Sequence, residues 1–187
     1  MKKTSYNINI AGLRRDLPLC KVSDDFYIAA FVIFGDVELT VACARELLKR
    51  APEYDVLISA EAKGIPLVYE MAKQAGDEKY LLARKGSKLY MRDIHTTSVR
   101  SITTDRVQTL CISGEDAEYM RGRRVLIVDD VISTGESLSA IEALVKETGG
   151  NIVGKMAILA EGDAIGRDDI IYLEKLPTFD GEGNERF

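Results

Sequence analysis

Tryptophan is absent from this 187-residue chain, histidine occurs once, cysteine three times, and no apolar run approaches the length of a membrane span. A single histidine, His95, leaves no basis for a histidine metal site or a catalytic triad, and in its polar stretch it reads as an exposed side chain. Cys20, Cys43 and Cys111 are odd in number, widely spaced and without metal-ligand spacing. Free thiols are expected, with Cys43 and Cys111 in the core. Positive charge is also short: 25 Lys and Arg against 30 Asp and Glu give a formal net charge of -5. That balance argues against a general nucleic-acid or membrane-surface role, so any anionic ligand must be held by a local site. The opening Met1-Lys2-Lys3 is followed by Thr, Ser, Tyr and Asn with no apolar leader segment, and a cytoplasmic location is expected. What remains is an ordinary globular composition, 46% hydrophobic and 29% charged, long enough for one domain with a sizeable core.

The most informative stretch runs from Arg124 to Ser137. Val125-Leu126-Ile127-Val128 reads as a strand buried on both faces, ended by the adjacent carboxylates Asp129 and Asp130. A loop of small and hydroxylated residues with Gly135 then enters a helix carrying Leu138, Ile141, Leu144 and Val145 on one face. Small residues let the backbone close around a phosphate, and a helix N-terminus directs N–H groups at it. Ser133, Thr134 and Ser137 add hydroxyl donors. Carboxylates cannot bind phosphate, so Asp129 and Asp130 should face sugar hydroxyls, a developing cation or Mg²⁺. The stretch therefore reads as a sugar-phosphate site.

Other strand ends converge on it. The strand 55–60 ends at Glu61-Ala62-Lys63-Gly64, 79–83 ends at Arg84, Lys85 and Lys88, and 151–160 ends at Glu161-Gly162-Asp163. Four strand ends, near residues 61, 84, 129 and 161, thus deliver charged groups to one sheet edge, where open α/β sheets bind ligands. Helices are expected over 36–50, capped by Asp36, and over 65–75. Residues 86–104 read as a long basic loop, either a lid over an anionic ligand or a solvated segment. Arg121, Arg123 and Arg124 precede their strand and should lie in solvent at the opposite edge. Residues 5–34 read as short strands and turns outside the main sheet, carrying the aromatic group Phe26, Tyr27, Phe31 and Phe34.

Residues 125–137 resemble the phosphoribosyl-pyrophosphate (PRPP) signature of type I phosphoribosyltransferases. Ile58 to Ile65 is similar to the pyrophosphate loop of the adenine and xanthine phosphoribosyltransferases, and Ala83 to Leu89 to the start of their lid. With Gly166-Arg167-Asp168-Asp169 the resemblance covers residues 28–179. It implies the type I α/β fold, a central mostly parallel sheet flanked by helices with a small hood from the N-terminal and C-terminal segments. The whole chain, 1–187, would be one domain, with 1–34 and 163–187 as hood, 35–162 as core and a lid at about 85–105.

The resemblance further implies purine salvage: transfer of phosphoribosyl from PRPP to adenine, giving AMP and pyrophosphate, in a homodimer. Asp129 and Asp130 would be catalytic; Ser133, Thr134, Gly135, Glu136 and Ser137 would hold the 5′-phosphate; and Ala62, Lys63, Gly64, Arg84, Lys85 and Lys88 the pyrophosphate. Mg²⁺ would be bound mainly through PRPP, with Asp129 and Asp130 as further ligands. Phe31, Phe34 and Glu161 would meet the base. Glu161 followed by Gly162 looks closer to adenine enzymes, since xanthine enzymes place a lysine after that glutamate. Ser101-Ile102-Thr103-Thr104 in the lid looks more like the xanthine enzymes or the related purine-operon repressor. Two alternatives stay open, a xanthine or hypoxanthine phosphoribosyltransferase and a non-catalytic PRPP or nucleotide sensor.

Overall fold

Successive side chains on a strand point to opposite faces of its sheet, and the central strand of this protein uses both. In the computed structural model, which describes residues 4–100 and 107–186, Val125 and Ile127 are buried on one face while Leu126 and Val128 are buried on the other. The elements in chain order are β1 (Ser5–Ile10), β2 (Leu13–Ser23), β3 (Phe26–Ala29), α1 (Val37–Leu48), β4 (Val56–Ala60), α2 (Ile65–Ala75), β5 (Leu81–Ala83), β6 (His95–Arg100), β7 (Val107–Ile112), α3 (Gly114–Met120), β8 (Arg124–Ile132), α4 (Glu136–Glu147), β9 (Asn151–Glu161), β10 (Ile171–Leu176), β11 (Thr178–Phe179) and β12 (Glu185–Arg186).

A five-stranded parallel sheet, ordered β10-β9-β8-β4-β5, forms the centre. Leu39, Cys43 and Leu47 of α1 and Leu67, Val68 and Met71 of α2 pack on one face. Leu138, Ile141, Leu144 and Val145 of α4, with Ala117 and Met120 of α3, pack on the other. Removing a fully buried leucine such as Leu126 from such a layer costs about 2–5 kcal/mol. Both α1 and α3 begin with side-chain caps, Asp36 accepting from the Leu39 N–H and Ser113 from the Asp116 N–H.

A second sheet, β1-β2-β3-β11-β12, is antiparallel throughout and joins the N-terminal segment to the chain's last strands. Ile8, Ile10, Leu17 and Phe179 from this sheet share the core layer of α1 and α2. Arg15 ties it to α1 through Asp36 at 2.6 Å. The structure thus has the α/β architecture expected, with the small sheet drawn from both ends of the chain.

Three local expectations need correction. β8 does not stop at Asp129: it runs to Ile132, with Asp129 paired to Ala157 and Val131 to Leu159 of β9. The acids are compatible with a strand because each has a partner, described below. Residues 95–100 are not loop but β6, paired antiparallel with β7. Their Ser and Thr content hid a half-exposed strand, in which Thr97 is buried and bonds Glu147 of α4. The N-terminal strands are also longer than expected, β2 alone covering 11 residues. The lid segment Ser101-Ile102-Thr103-Thr104 lies outside the described residues.

Candidate active site

Parallel connections bring the C-terminal ends of β4, β8 and β9 to one edge, and a cleft of about 470 Å³ opens there. Asp129, Asp130, Lys63 and Glu161 line it, with Ser133 and Ser137 at one end. A smaller hollow of about 50 Å³ adjoins it, enclosed by Asp129 and residues Ser133 to Ser137. A larger depression of about 870 Å³ lies beside β5 and α3, but the carboxylate pair has no part in its wall.

The acids occupy different environments although adjacent, because alternate strand residues face opposite ways. Asp130 is 2% exposed. Lys63 Nζ stands 2.9 Å from its Oδ2, close enough for an ion pair, yet that oxygen has no aligned hydrogen-bond donor. Placing a carboxylate oxygen so deep in the cleft wall is costly, and the Lys63 charge beside it is what offsets the cost. Asp129 keeps some contact with the cleft, and its Oδ1 accepts the Asp130 N–H at 2.9 Å. Burial raises its pKa well above the usual aspartate range, and the neighbouring negative charge of Asp130 adds to the effect.

Loop 133–135 leads into α4 through Gly135 at φ +80°, and α4 starts without a side-chain cap. First-turn N–H groups of a helix have no intrahelical partner, and where Asp36 and Ser113 each accept one of them with a side chain in α1 and α3, Gly135 has no side chain to do so in α4. Gln108 of β7 donates to Ser137 Oγ at 2.9 Å and fixes that hydroxyl.

The turn after β4 packs tightly on the carboxylate strand. A Cβ on Gly64 would lie 2.1 Å from Ser59 Oγ and 3.2 Å from Asp129 Oδ1, so only glycine fits. Ala62 and Lys63 line the cleft. Lys85 does too, and its N–H reaches Glu61 Oε2 at 3.2 Å. Arg84 Nη1 lies 3.1 Å from Glu61 Oε1, while Arg84 Nη2 donates to the Tyr90 hydroxyl at 2.8 Å. Burial opposes ionisation of Glu61, but the Lys85 N–H and Arg84 outweigh it and hold its pKa below the ordinary value. Lys88 is exposed and lies outside the cleft wall.

Part of the cleft wall is apolar, formed by Ile28 to Val32 with Val131 and Leu176. Phe31 is buried in it; Phe34 is half exposed and stands outside the lining. Glu161, at the end of β9, reaches the same region, its pKa raised by burial against the pull of Lys63. Gln108, Glu61 and Leu176 were not singled out from sequence as ligand contacts. A glutamine in a half-buried strand carries no local signal, and only the β6–β7 hairpin brings it to Ser137.

The remaining sequence expectations are placed as follows. Arg124 is exposed at the opposite edge, bonded to Asp55 and Glu53. Cys43 and Cys111 are buried and Cys20 exposed, all three as free thiols. His95 is exposed, though in β6. Among the described residues no group of three or more His, Cys, Asp or Glu could hold a metal ion, and no helix is long and apolar enough to cross a membrane.

The same architecture occurs in solved adenine phosphoribosyltransferases. The enzyme of Thermoanaerobacter pseudethanolicus superposes with a TM-score of 0.64 at 24% identity, over 76% of this chain and 84% of that one. That of Leishmania donovani gives 0.65 at 17% identity, over 93% and 77%. These likenesses are of fold. In sequence, the chain is 34% identical over 129 residues to an adenine phosphoribosyltransferase of Thermotoga sp. strain RQ2, covering 69% of this chain and 67% of the relative. It is 28% identical over 141 residues to the orotate phosphoribosyltransferase of Caldanaerobacter subterraneus, covering 74% and 63%. An adenine phosphoribosyltransferase of Thermotoga petrophila matches at 35% over 109 residues, covering 58% and 60%. The chain thus spans about three-fifths of the length of these last two relatives. Residues 38–179 match the phosphoribosyl transferase domain, most of the chain, and the protein belongs to that family.

Proposed function

We propose that this protein transfers the phosphoribosyl group of PRPP to adenine, forming AMP and pyrophosphate. The observation that carries the reading is the partly unsatisfied Asp129–Asp130 pair leading directly into the uncapped start of α4. In this reading the loop 133–137 binds the 5′-phosphate and the acids take the ribose hydroxyls. Ala62, Lys63, Gly64 and Lys85 receive the pyrophosphate, and Arg84 and Lys88, which stand outside the cleft wall, would have to turn toward it as the ligand binds. The purine nitrogen forms its bond to the anomeric carbon as the bond to pyrophosphate breaks; the leaving group keeps the electron pair, and the proton on that nitrogen passes to the departing pyrophosphate or to water. Positive charge developing on the sugar is stabilised by the carboxylates, and no protein nucleophile is needed.

Mg²⁺ suits this site as an ion carried in by the diphosphate, since among the described residues no group of three or more His, Cys, Asp or Glu could hold it and Asp129 and Asp130 would add to the diphosphate's oxygens; when bound it would neutralise leaving-group charge. Homodimer formation and a cytoplasmic location belong to the same reading.

Family membership leaves the base open, because orotate and adenine enzymes are both among the relatives. Adenine is favoured by the apolar wall around Phe31 and by Glu161, whose oxygens suit an exocyclic amino group and which Gly162, not a lysine, follows. The test is pyrophosphate release from PRPP and Mg²⁺ with adenine, xanthine, hypoxanthine and guanine supplied separately. Release with adenine is expected. Release only with an oxopurine would reassign the base, and PRPP binding without release for any base would make the protein a sensor.

A further inference from the structure

The phosphate loop brings no cation of its own: Ser133, Thr134, Gly135, Glu136 and Ser137 supply hydroxyls, backbone and one acid. A doubly charged phosphate seated there calls for a positive group, and one arrives from beyond β9. A Cβ placed on Gly135 would stand 2.9 Å from Nη1 of Arg167, so the guanidinium lies directly against the loop. Its other edge is clamped. Nε donates to Asp169 Oδ1 at 2.8 Å and Nη2 to Oδ2 at 2.7 Å.

Asp169 is itself held by Lys155 of β9 at 2.5 Å, and Lys155 also donates to Glu142 of α4 at 3.0 Å. Charges therefore alternate from Arg167 through Asp169 and Lys155 to Glu142, with the cationic end at the loop and the other end on the helix that the loop begins. The hydrogen bonds of Arg167, then of Lys155, keep Asp169 well below the usual carboxylate range, so the clamp stays ionised at neutral pH. Among the described residues Nη1 donates to no protein group.

We propose that Arg167 is the cation of the 5′-phosphate site, a positioning residue whose orientation is set by Asp169 and Lys155. The assignment rests on the phosphoribosyl-transfer reading. Two features support it beyond proximity. The bidentate clamp has already removed most of the side chain's rotational freedom, so little entropy is lost when an anion binds. Gly135, at φ +80°, also leaves open the space in which the guanidinium sits, since a Cβ there would press on Nη1.

The experiment is calorimetric titration of the full chain with ribose 5-phosphate and, separately, with pyrophosphate plus Mg²⁺, in wild type, Arg167→Gln and Arg167→Lys. Arg167→Gln is expected to weaken ribose 5-phosphate by about tenfold or more, the usual loss for a charge-assisted contact, while pyrophosphate binding stays within about twofold of wild type. Arg167→Lys should recover part of the loss and retain more of the salt dependence than Arg167→Gln, a rescue that a purely packing role would not give. Unchanged ribose 5-phosphate affinity in Arg167→Gln overturns the assignment, as does equal weakening of both ligands. Wild-type protein that binds neither ligand overturns the phosphoribosyl-transfer reading and Arg167 with it. Wild-type binding with an indifferent Arg167→Gln overturns Arg167 alone.

Discussion

At the start of α1, Asp36 accepts the Leu39 N–H at 3.1 Å and is itself gripped by Arg15 at 2.6 Å. At the start of α4, Gly135 adopts φ +80° and, having no side chain, makes no cap of the kind Asp36 makes. Both helices pack an apolar face on the same sheet, so the difference lies in what each terminus is for. A cap satisfies donors from within the protein and stabilises it. An uncapped glycine turn leaves donors for something from outside, and the protein forgoes that stabilisation until a ligand arrives. The same contrast separates the two sheet edges. Arg124 with Asp55 and Glu53 forms an exposed, self-satisfied ion cluster, whereas Lys63 and Asp130 meet without completing a hydrogen bond.

The sharpest way to break the comparison is Asp130→Asn. Turnover should fall by about a hundredfold or more because transition-state charge loses a carboxylate, while the circular dichroism melt stays near wild type. A variant of full activity would remove Asp130 from the chemistry. Gly64→Ala should come next, since a Cβ 2.1 Å from Ser59 Oγ forces the turn off the strand. We expect weaker pyrophosphate inhibition and a stability loss of about 1–3 kcal/mol, typical of overpacking. Ser59→Ala combined with Gly64→Ala should restore part of both, and no restoration would place the fault elsewhere.

Asp129 gives a pH test. Its native pKa is raised, so the folded state binds more protons than the unfolded state above about pH 4, the ordinary aspartate value. The sign follows: unliganded protein loses stability as pH rises from there through the raised native pKa, and recovers none of it at higher pH. Asp129→Asn should flatten that decline in urea melts and raise stability at neutral pH by about 1–3 kcal/mol. A steeper decline in the variant would contradict the raised pKa.

The smallest effects belong to the structural termini. Asp36→Ala should cost about 1 kcal/mol with kcat/KM unchanged. Arg124→Ala should leave both turnover and melting temperature near wild type, as expected for an exposed pair. A large activity loss in either would blur the distinction between the two edges.

Much of this was legible locally. The heptad-like spacing of Leu138, Ile141, Leu144 and Val145 belongs to a helix with one buried face, and with Ala140 these residues form the buried face of α4. The unbroken apolar runs in β4 and β8 announce a sheet covered on both sides. What misled was polarity. Asp129 and Asp130 look like a strand end because carboxylates in a buried strand are costly, yet β9 pairs with the strand beyond them and Lys63 answers the charge from another connection. Thr96 to Ser98 look like loop because their partners, β7 and Glu147, are distant in sequence.

By itself, the sequence determined the periodicities, the glycine turns and the order in which strands and helices follow one another, since each depends on neighbours within a few residues. It also carried the phosphate loop, because that motif is contiguous from Asp129 to Ser137. Tertiary structure alone decided which cations meet which acids. Lys63 meets Asp130 across 67 positions, Arg84 turns to Glu61 across 23, and Arg167 lies against Gly135 across 32. Electrostatics acts through space, and only the parallel crossovers that stack β4, β8 and β9 side by side bring those distances within a few ångströms.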